Sequence, residues 1–200
     1  MYKDKYKVDV PEGKSGNWEI RHFSVSEEDA KFGALKGMFN GGRYTPAGNY
    51  TGLYHYNSII MSDTPDEIRD HLGFIRQAAG NVLINGLGIG MVLQAVLNKP
   101  EVEHATVIEI SPDVISLAAP HYQAKFGNKL TIIQADALEY KPPKGIRYNA
   151  VWHDIWPNIC TDNLAEMATL HRKYGRRCDW QGSWSKELLK YYQRRERSYW

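Results

Sequence analysis

The stretch VLINGLGIGMVLQAV, residues 82–96, decides how this chain is expected to fold. A hydrophobic run ends in three glycines at alternate positions, Gly86, Gly88 and Gly90, and an apolar segment suited to a helix follows them. Because glycine has no side chain, the backbone can turn tightly there and bring its N–H groups close to a ligand. Such a turn can also be a plain loop, but its position between a strand and a helix favours ligand binding.

The segment before this turn, residues 63–80, has the period of a helix. Thr64 is a natural N-cap, Pro65 suits the first helical position, and Glu67 completes a capping box with Thr64. Gly80 is expected to end the helix. The predicted apolar face consists of Ile68, Leu72, Ile75 and Ala79.

Strand-like and helix-like segments alternate along the rest of the chain. Strands are predicted at residues 17–26, 52–62, 81–85, 103–110, 129–135 and 148–155. Helices are predicted at residues 90–98, 111–126 and 161–175, and Pro120 is expected to end or kink the second of these. Short buried strands that alternate with helices indicate a parallel sheet made of βαβ units. The predicted fold class is therefore α/β, a Rossmann-like parallel sheet with flanking helices and an N-terminal β-ribbon.

This pattern divides the chain into three regions. Residues 1–62 are predicted to be the N-terminal β-ribbon region, with a turn-rich part at 41–50; residues 63–175 form the Rossmann-like core; and residues 176–200 form a basic loop and helix. Residues 171–200 carry nine Lys/Arg against three acids, a net charge of +6, whereas the rest of the chain is −4. The basic helix either binds nucleic acid or is a solvated charged face, which is the commoner case.

The residues that follow the core strands are candidate ligand contacts, because ligands bind outside the carboxyl ends of parallel strands. Glu109 follows the second core strand, 23 residues beyond Gly86, where an acid can accept both hydroxyl hydrogens of a ribose. Asp136 follows the third strand and Asp154 the fourth. Each acid alone could be an exposed strand end, a turn residue or a cap. Glycines, Glu, Asp and Asp at four successive strand ends indicate one ligand site.

With these residues, the stretch 82–157 resembles the class I S-adenosylmethionine-dependent methyltransferases, and within them the spermidine-synthase-like branch. The segment VEHATVIEISPDVISLA (102–118) carries the nearest local likeness. The resemblance implies S-adenosyl-L-methionine as the cofactor, with its methionine part on the glycine turn. It further implies that Glu109 holds the ribose, that Ile110 packs on the adenine, and that Asp136 with Ala137 meets the adenine amino group.

The resemblance also implies which residues face the reacting group. Asp154 is the expected catalytic residue, as a base or a positioning group for the acceptor, with Trp156 and Pro157 beside it. The segment DEIRDH (66–71) is similar to a segment upstream of the glycine turn in polyamine synthases, which would put His71 near the cofactor.

The chain lacks two acids that the polyamine synthases carry. Their glycine turn carries an acid where this chain has Leu87 or Ile89, and a second acid after the fourth strand is replaced by the stretch 155–157. Both losses argue against aminopropyl transfer and predict a cavity with one carboxylate and an aromatic wall. The methyltransferases add three further strands after the fourth, so the sheet is expected to be abbreviated at its C-terminal end.

Aromatic residues outside the motifs have two interpretations. Four tyrosines of the ribbon form either a lid over the site or cross-strand pairs. They are Tyr44, Tyr50, Tyr54 and Tyr56. Trp152 is expected in the core and Trp156 in the site.

Composition excludes several classes of protein. No apolar stretch approaches the roughly 18 residues of a membrane span, and the N-terminus is too polar for a secretory signal. Cys160 and Cys178 are expected to be reduced thiols, so a cytoplasmic location is predicted. The seven histidines have no metal-binding spacing, so no metal is expected.

Three functional hypotheses remain open. The favoured one is a methyltransferase that uses S-adenosyl-L-methionine and an unidentified acceptor. The alternatives are an aminopropyltransferase that uses the decarboxylated cofactor, and a non-catalytic binding protein with the same fold. The expected partners are the small-molecule cofactor and the acceptor, with no membrane partner, while a homo-oligomer and nucleic acid stay open.

Overall fold

The computed structural model describes residues 5–40 and 43–197, without the side chains of residues 38–40. The described residues form an antiparallel sheet of four strands, a parallel sheet of five strands and six α-helices. A helix capable of spanning a membrane does not occur in this part of the chain.

The antiparallel sheet is built by the first third of the chain. Its strands pair in chain order and are β1 (Gly13–Ser15), β2 (Trp18–Val25), β3 (Gly48–His55) and β4 (Ser58–Ser62). Tyr56 and Asn57 have φ values of 47° and 64°, the backbone of a two-residue hairpin turn between β3 and β4. The strands predicted at 17–26 and 52–62 are confirmed, and this turn divides the second segment.

A helix within this region has no counterpart among the sequence predictions. Helix α1 (Glu27–Asn40) connects β2 to β3, where only ribbon was expected. Its apolar residues do not share one face, and Phe32 is 70% exposed. Of the segment predicted as turn-rich, residues 41–42 lie outside the described residues, and residues 43–47 contain no helix or strand.

Helix α2 (Pro65–Gln77) leads from the antiparallel sheet into the parallel one. Thr64 is its N-cap residue, as predicted, but the Thr64 side chain makes no capping hydrogen bond. The predicted capping box between Thr64 and Glu67 is wrong. The Glu67 carboxylate instead accepts hydrogen bonds from the backbone N–H and the hydroxyl of Ser62. The helix ends three residues before Gly80, which starts the next strand.

The buried face of α2 also differs from the predicted one. The buried residues of the helix are Ile68, His71, Phe74 and Ile75. Leu72 and Ala79 are only half-buried. The face is rotated because the Phe74 ring stacks on Trp152 of the parallel sheet, with 5.6 Å between ring centroids.

The parallel sheet and its helices contain the rest of the described chain. The strands are β5 (Gly80–Asn85), β6 (Val102–Glu109), β7 (Leu130–Gln134), β8 (Tyr148–His153) and β9 (Cys178–Ser183). The helices are α3 (Met91–Leu97), α4 (Pro112–Phe126), α5 (Asn163–Tyr174) and α6 (Lys186–Arg197). All four sheet pairings are parallel, which confirms the predicted α/β fold class.

The strand order places the ligand crevice. The order is β7-β6-β5-β8-β9, so the chain moves outward from β5 to β7 and then returns to the other side of β5 at β8. Ligands bind where the order reverses, outside the carboxyl ends of the strands. This point lies between β5 and β8, where the glycine turn and Asp154 follow their strands.

The structure differs from two predictions about the later elements. Helix α4 does not end at Pro120, because buried residues such as Val114 and Tyr122 hold it on both sides of the proline, and a kink at Pro120 stays a prediction. The stretch predicted as a loop after residue 176 contains β9, which pairs with β8 and completes a sheet of five strands. The Trp180 ring on β9 stacks on Trp152 at 6.3 Å, a long-range contact that a local pattern does not reveal. The buried position predicted for Trp152 is confirmed.

Candidate active site

A cavity of about 580 Å³ lies between the carboxyl ends of the parallel strands and the antiparallel sheet. One wall comes from the glycine turn and the residues after β6, β7 and β8; the other comes from β3, β4 and α2. Nine of the ten predicted site residues line it. They are Gly86, Gly88, His71, Glu109, Ile110, Asp136, Ala137, Asp154 and Trp156. The fold therefore brings together residues from five separate segments.

Gly90 does not line this cavity. It has φ of 75°, and a Cβ atom there would lie 2.0 Å from the Tyr122 ring. Because Tyr122 also donates a hydrogen bond from its hydroxyl to the Ile89 carbonyl, this end of the turn is fixed by packing on α4. A direct contact between Gly90 and a cofactor stays a prediction.

Gly86 is required by a close approach of two backbone segments. With φ of 101°, a Cβ atom there would lie 2.0 Å from the Asp154 carbonyl oxygen. The Asp154 N–H also donates to the Asn85 carbonyl at 2.8 Å. Glycine at this position therefore lets the turn and the Asp154 segment share one end of the cavity.

Most N–H groups of the glycine turn are already used within the protein. The N–H of Gly86 donates to Ile108, that of Leu87 to Glu109, and that of Gly90 to Leu87. The Ile89 N–H points at the sulfur of Met61, at 3.4 Å. Within residues 5–40 and 43–197, the turn N–H without such a partner is that of Gly88. The turn therefore offers a ligand one backbone N–H, that of Gly88, and space in the adjoining cavity. It does not offer a set of several N–H groups.

Glu109 links the glycine turn to the start of α4. Its Oε2 accepts a hydrogen bond from the Leu87 N–H, and its Oε1 accepts one from the Ser111 N–H, both at 2.8 Å. The residue is 9% exposed and lines the cavity. Each carboxylate oxygen has a second lone pair, so Glu109 can hold the turn and still accept hydroxyl hydrogens.

Asp136 and Ala137 form the far end of the cavity, beyond β7. Oδ1 of Asp136 accepts a hydrogen bond from the Leu138 N–H at 2.7 Å, and its carbonyl accepts one from Tyr140. Asp136 is therefore a turn residue that also lines the cavity, so the two interpretations of it are compatible. Ile110, which is 63% exposed, also lines the cavity and gives it an apolar surface.

Asp154 has the electrostatics of a general base. Its side chain is 18% exposed, and burial together with the charges of Glu67, Asp70 and Glu109 raises its pKa to about 7. The nearby His71 is buried, and this burial lowers the pKa of its imidazole to about 4. His71 is therefore neutral at pH 7, while Asp154 is divided between its two protonation states.

The cavity is more acidic than the sequence suggested. The prediction of a cavity with one carboxylate is wrong, because Glu67 on α2 lines the cavity together with Asp154. Burial raises the pKa of the Glu67 carboxyl, and its hydrogen bonds from Ser62 oppose this shift. A capping role was expected for Glu67, so its position in the cavity was missed.

The aromatic wall consists mainly of residues that the sequence did not single out. Trp18 stacks on His55 across the β2–β3 pair, with 4.3 Å between ring centroids, and both line the cavity with Trp184. Trp156 also lines it, as predicted, and its Nε1 donates to Glu166 at 2.7 Å.

The four tyrosines, for which a lid and cross-strand pairs were both left open, do not line the cavity. Tyr50 is buried and tilts against Phe23, its partner in the β2–β3 register. Arg21 lies over the Tyr54 ring, at 3.7 Å. The alternative of cross-strand contacts is therefore the better description of these two residues.

Two further expectations concern other sites. In the described ranges, 5–40 and 43–197, no group of three or more His, Cys, Asp or Glu side chains is arranged to hold a metal ion.

Helix α6 buries Leu189 and exposes Tyr191, Tyr192, Arg194 and Arg197, while residues 198–200 of the basic segment lie outside the described residues. Nucleic-acid binding by this helix stays a prediction.

Comparison with known proteins finds no matching family model. Two polyamine aminopropyltransferases of Ralstonia nicotianae are 28% identical to the chain over 99 residues, which cover 43% of this chain and 19% of each relative. The chain thus spans about a fifth of the length of these curated relatives.

Among solved structures, the spermidine synthase from Thermotoga maritima is 17% identical, with a TM-score of 0.49 over 82% of this chain and 53% of that one. The CcbJ methyltransferase from Streptomyces caelestis is 19% identical, with a TM-score of 0.46 over 57% of this chain and 49% of that one.

Proposed function

We propose that this protein binds S-adenosyl-L-methionine and transfers its methyl group to an acceptor held beside Asp154. One observation carries the proposal: a single cavity contains the glycine turn, Glu109, Asp136 and Asp154, in the order set by strands β5, β6, β7 and β8. Its volume of about 580 Å³ falls within the range of about 300–1,000 Å³ that is usual for small-molecule sites.

The residues present fit the cofactor from end to end. In the spatial order of the strands, Asp136 after β7 and Ile110 after β6 would hold the adenine, and Glu109 would hold the ribose. The glycine turn after β5 would accommodate the methionine part, with the Gly88 N–H, which has no partner among the described residues, as a donor to it. The carboxylates of Asp154 and Glu67 suit the positive charge of a sulfonium.

Methyl transfer requires little of the protein beyond the alignment of donor and acceptor. When bound, the cofactor supplies a methyl group that is already activated by the sulfonium. The chain's own residues then orient the acceptor and exclude water, the task of the aromatic wall. Asp154, with a pKa of about 7, can take the acceptor's proton at neutral pH. His71 is neutral and buried beside Asp154, so its imidazole adds no positive charge there.

Aminopropyl transfer from decarboxylated S-adenosylmethionine is the second candidate. Two acids, Glu67 and Asp154, line the same end of the cavity, which favours a donor or acceptor with additional ammonium groups. The curated relatives, two polyamine aminopropyltransferases, also support this alternative. The absence of acids from the glycine turn and from residues 155–157, where the polyamine synthases carry them, argues against this alternative.

The two reactions leave different products, and this separates them. Purified protein is incubated with each donor and a panel of amines and neutral acceptors, and the nucleoside products are resolved by chromatography. Methyl transfer leaves S-adenosylhomocysteine, whereas aminopropyl transfer leaves methylthioadenosine. We expect S-adenosylhomocysteine. Methylthioadenosine would establish the second candidate instead, and binding of a donor without turnover on any acceptor would favour the non-catalytic binding protein.

A further inference from the structure

Arg43 is the one Lys or Arg among the described residues that line the cavity. The other charged side chains that line it are four carboxylates. These are Glu67, Glu109, Asp136 and Asp154. A lone guanidinium in an acidic cavity is a place for an anionic group of the ligand, because the rest of the cavity repels one.

Asp70 on α2 holds the Arg43 side chain in a fixed orientation. Nη1 of Arg43 donates to Oδ2 of Asp70 at 2.7 Å, and Nη2 donates to Oδ1 at 2.8 Å. Trp184 also approaches this carboxylate, with its Nε1 3.4 Å from Oδ2. The paired contact uses two of the five guanidinium N–H groups. In residues 5–40 and 43–197, the other three have no hydrogen-bond partner.

Arg43 is also open to a ligand. Its side chain is 50% exposed, whereas that of Asp70 is 17% exposed, so the carboxylate lies behind the guanidinium. Asp70 supports the plane of the group, as a residue that orients a ligand-binding side chain should.

The position of Arg43 corresponds to one end of the proposed cofactor. Asp70 directly precedes His71, whose Nε2 is 3.7 Å from Oδ2 of Asp154. Arg43 is therefore at the β8 end of the cavity, and the adenine residues lie at the β7 end. At the β8 end the cofactor would place its sulfonium and its amino-acid tail.

We propose that Arg43 forms a carboxylate subsite for the donor, and that it selects S-adenosyl-L-methionine over decarboxylated S-adenosylmethionine. This inference rests on the proposed function. The two donors differ in one carboxylate, and a guanidinium pairs with a carboxylate through charge-assisted hydrogen bonds. Asp70 offsets part of the guanidinium charge, so we expect the subsite to contribute about tenfold in affinity.

The test is calorimetric binding of both donors to the full chain and its variants, without any acceptor. Arg43→Gln should lower the affinity for S-adenosyl-L-methionine about tenfold and change the affinity for the decarboxylated donor by less than about twofold. Arg69→Gln is the matched control, because Arg69 pairs with Asp66 at 2.7 Å, is 69% exposed and does not line the cavity. It should bind both donors as the wild type does.

The outcomes separate this inference from the proposed function. Suppose that the wild type binds S-adenosyl-L-methionine. If Arg43→Gln then lowers the affinity for both donors equally, or changes the affinity for neither, the carboxylate subsite is wrong and the proposed function stands. If the wild type binds neither donor, the proposed function fails and the subsite with it. If Arg43→Gln does not fold, Arg43→Lys decides, because a lysine keeps the charge but loses the planar fork. The preference for S-adenosyl-L-methionine must then fall below that of the wild type.

Discussion

Nε2 of His71 lies 3.7 Å from Oδ2 of Asp154, and burial shifts the pKa values of the two groups towards their neutral forms. The imidazole pKa falls to about 4, and the carboxyl pKa rises to about 7. At neutral pH this pair therefore holds a neutral imidazole beside a carboxyl that can gain or lose a proton. Of the two groups, Asp154 is the one that can exchange a proton near pH 7.

Asp154→Asn should reduce turnover far more than it weakens cofactor binding. An amide of the same shape cannot take a proton, and general base assistance accounts for about 10²–10⁴ in rate. The measurements are formation of S-adenosylhomocysteine and cofactor affinity on the same preparation. Asp162→Asn is a suitable control, because Asp162 is exposed and its side chain makes no capping hydrogen bond. Full activity in Asp154→Asn would reject the base, and equal losses of activity and affinity would make Asp154 a binding residue.

Binding of the sulfonium should release protons at pH 7. The pKa of Asp154 is about 7, so about half of the molecules carry a proton there, and a nearby positive charge lowers that pKa. The released proton passes to the buffer, so binding should be more exothermic in Tris than in phosphate. Affinity should also rise with pH between about 6 and 8. Both effects should vanish in Asp154→Asn, and their persistence would assign the proton to another group.

Glu109→Ala should weaken cofactor binding by at least about tenfold, because hydrogen bonds to a carboxylate contribute about 1.5–3 kcal/mol each. The same change leaves the N–H groups of Leu87 and Ser111 without their acceptor, so we also expect a loss of about 1–3 kcal/mol in the free energy of unfolding. Calorimetry and denaturant unfolding measure the two effects. Glu109→Gln, which keeps one acceptor oxygen, should lose less of both. Unchanged affinity in Glu109→Ala would show that the carboxylate has only a structural role.

Cofactor affinity should not depend on a metal ion. In the described residues the side chains that line the cavity do not form a metal-binding group, and the proposed contacts are hydrogen bonds and apolar surfaces. Titration with S-adenosyl-L-methionine in the presence and absence of a chelator should give the same affinity. A loss of binding after chelation, restored by a divalent cation, would contradict this prediction.

The sequence by itself determined four of the five parallel strands and the side of the cavity that follows them. Glycine spacing and strand period are local features, and they predicted the end of β5 and, within one residue, the start of α3. Because the carboxyl ends of parallel strands meet at one edge, the residues after the strands were predictable, and Glu109, Asp136 and Asp154 all line the cavity.

Only the tertiary structure decided what covers those strand ends. Arg43, Trp18 and Trp184 come from segments far apart in the chain, and each reaches the cavity through a contact that leaves no local pattern. Glu67 looked like a capping residue until its partner proved to be Ser62. Strand β9 has little periodicity of its own and depends on pairing with β8. The charge balance around Asp154 is likewise set by packing, because burial and neighbouring carboxylates from other elements raise its pKa.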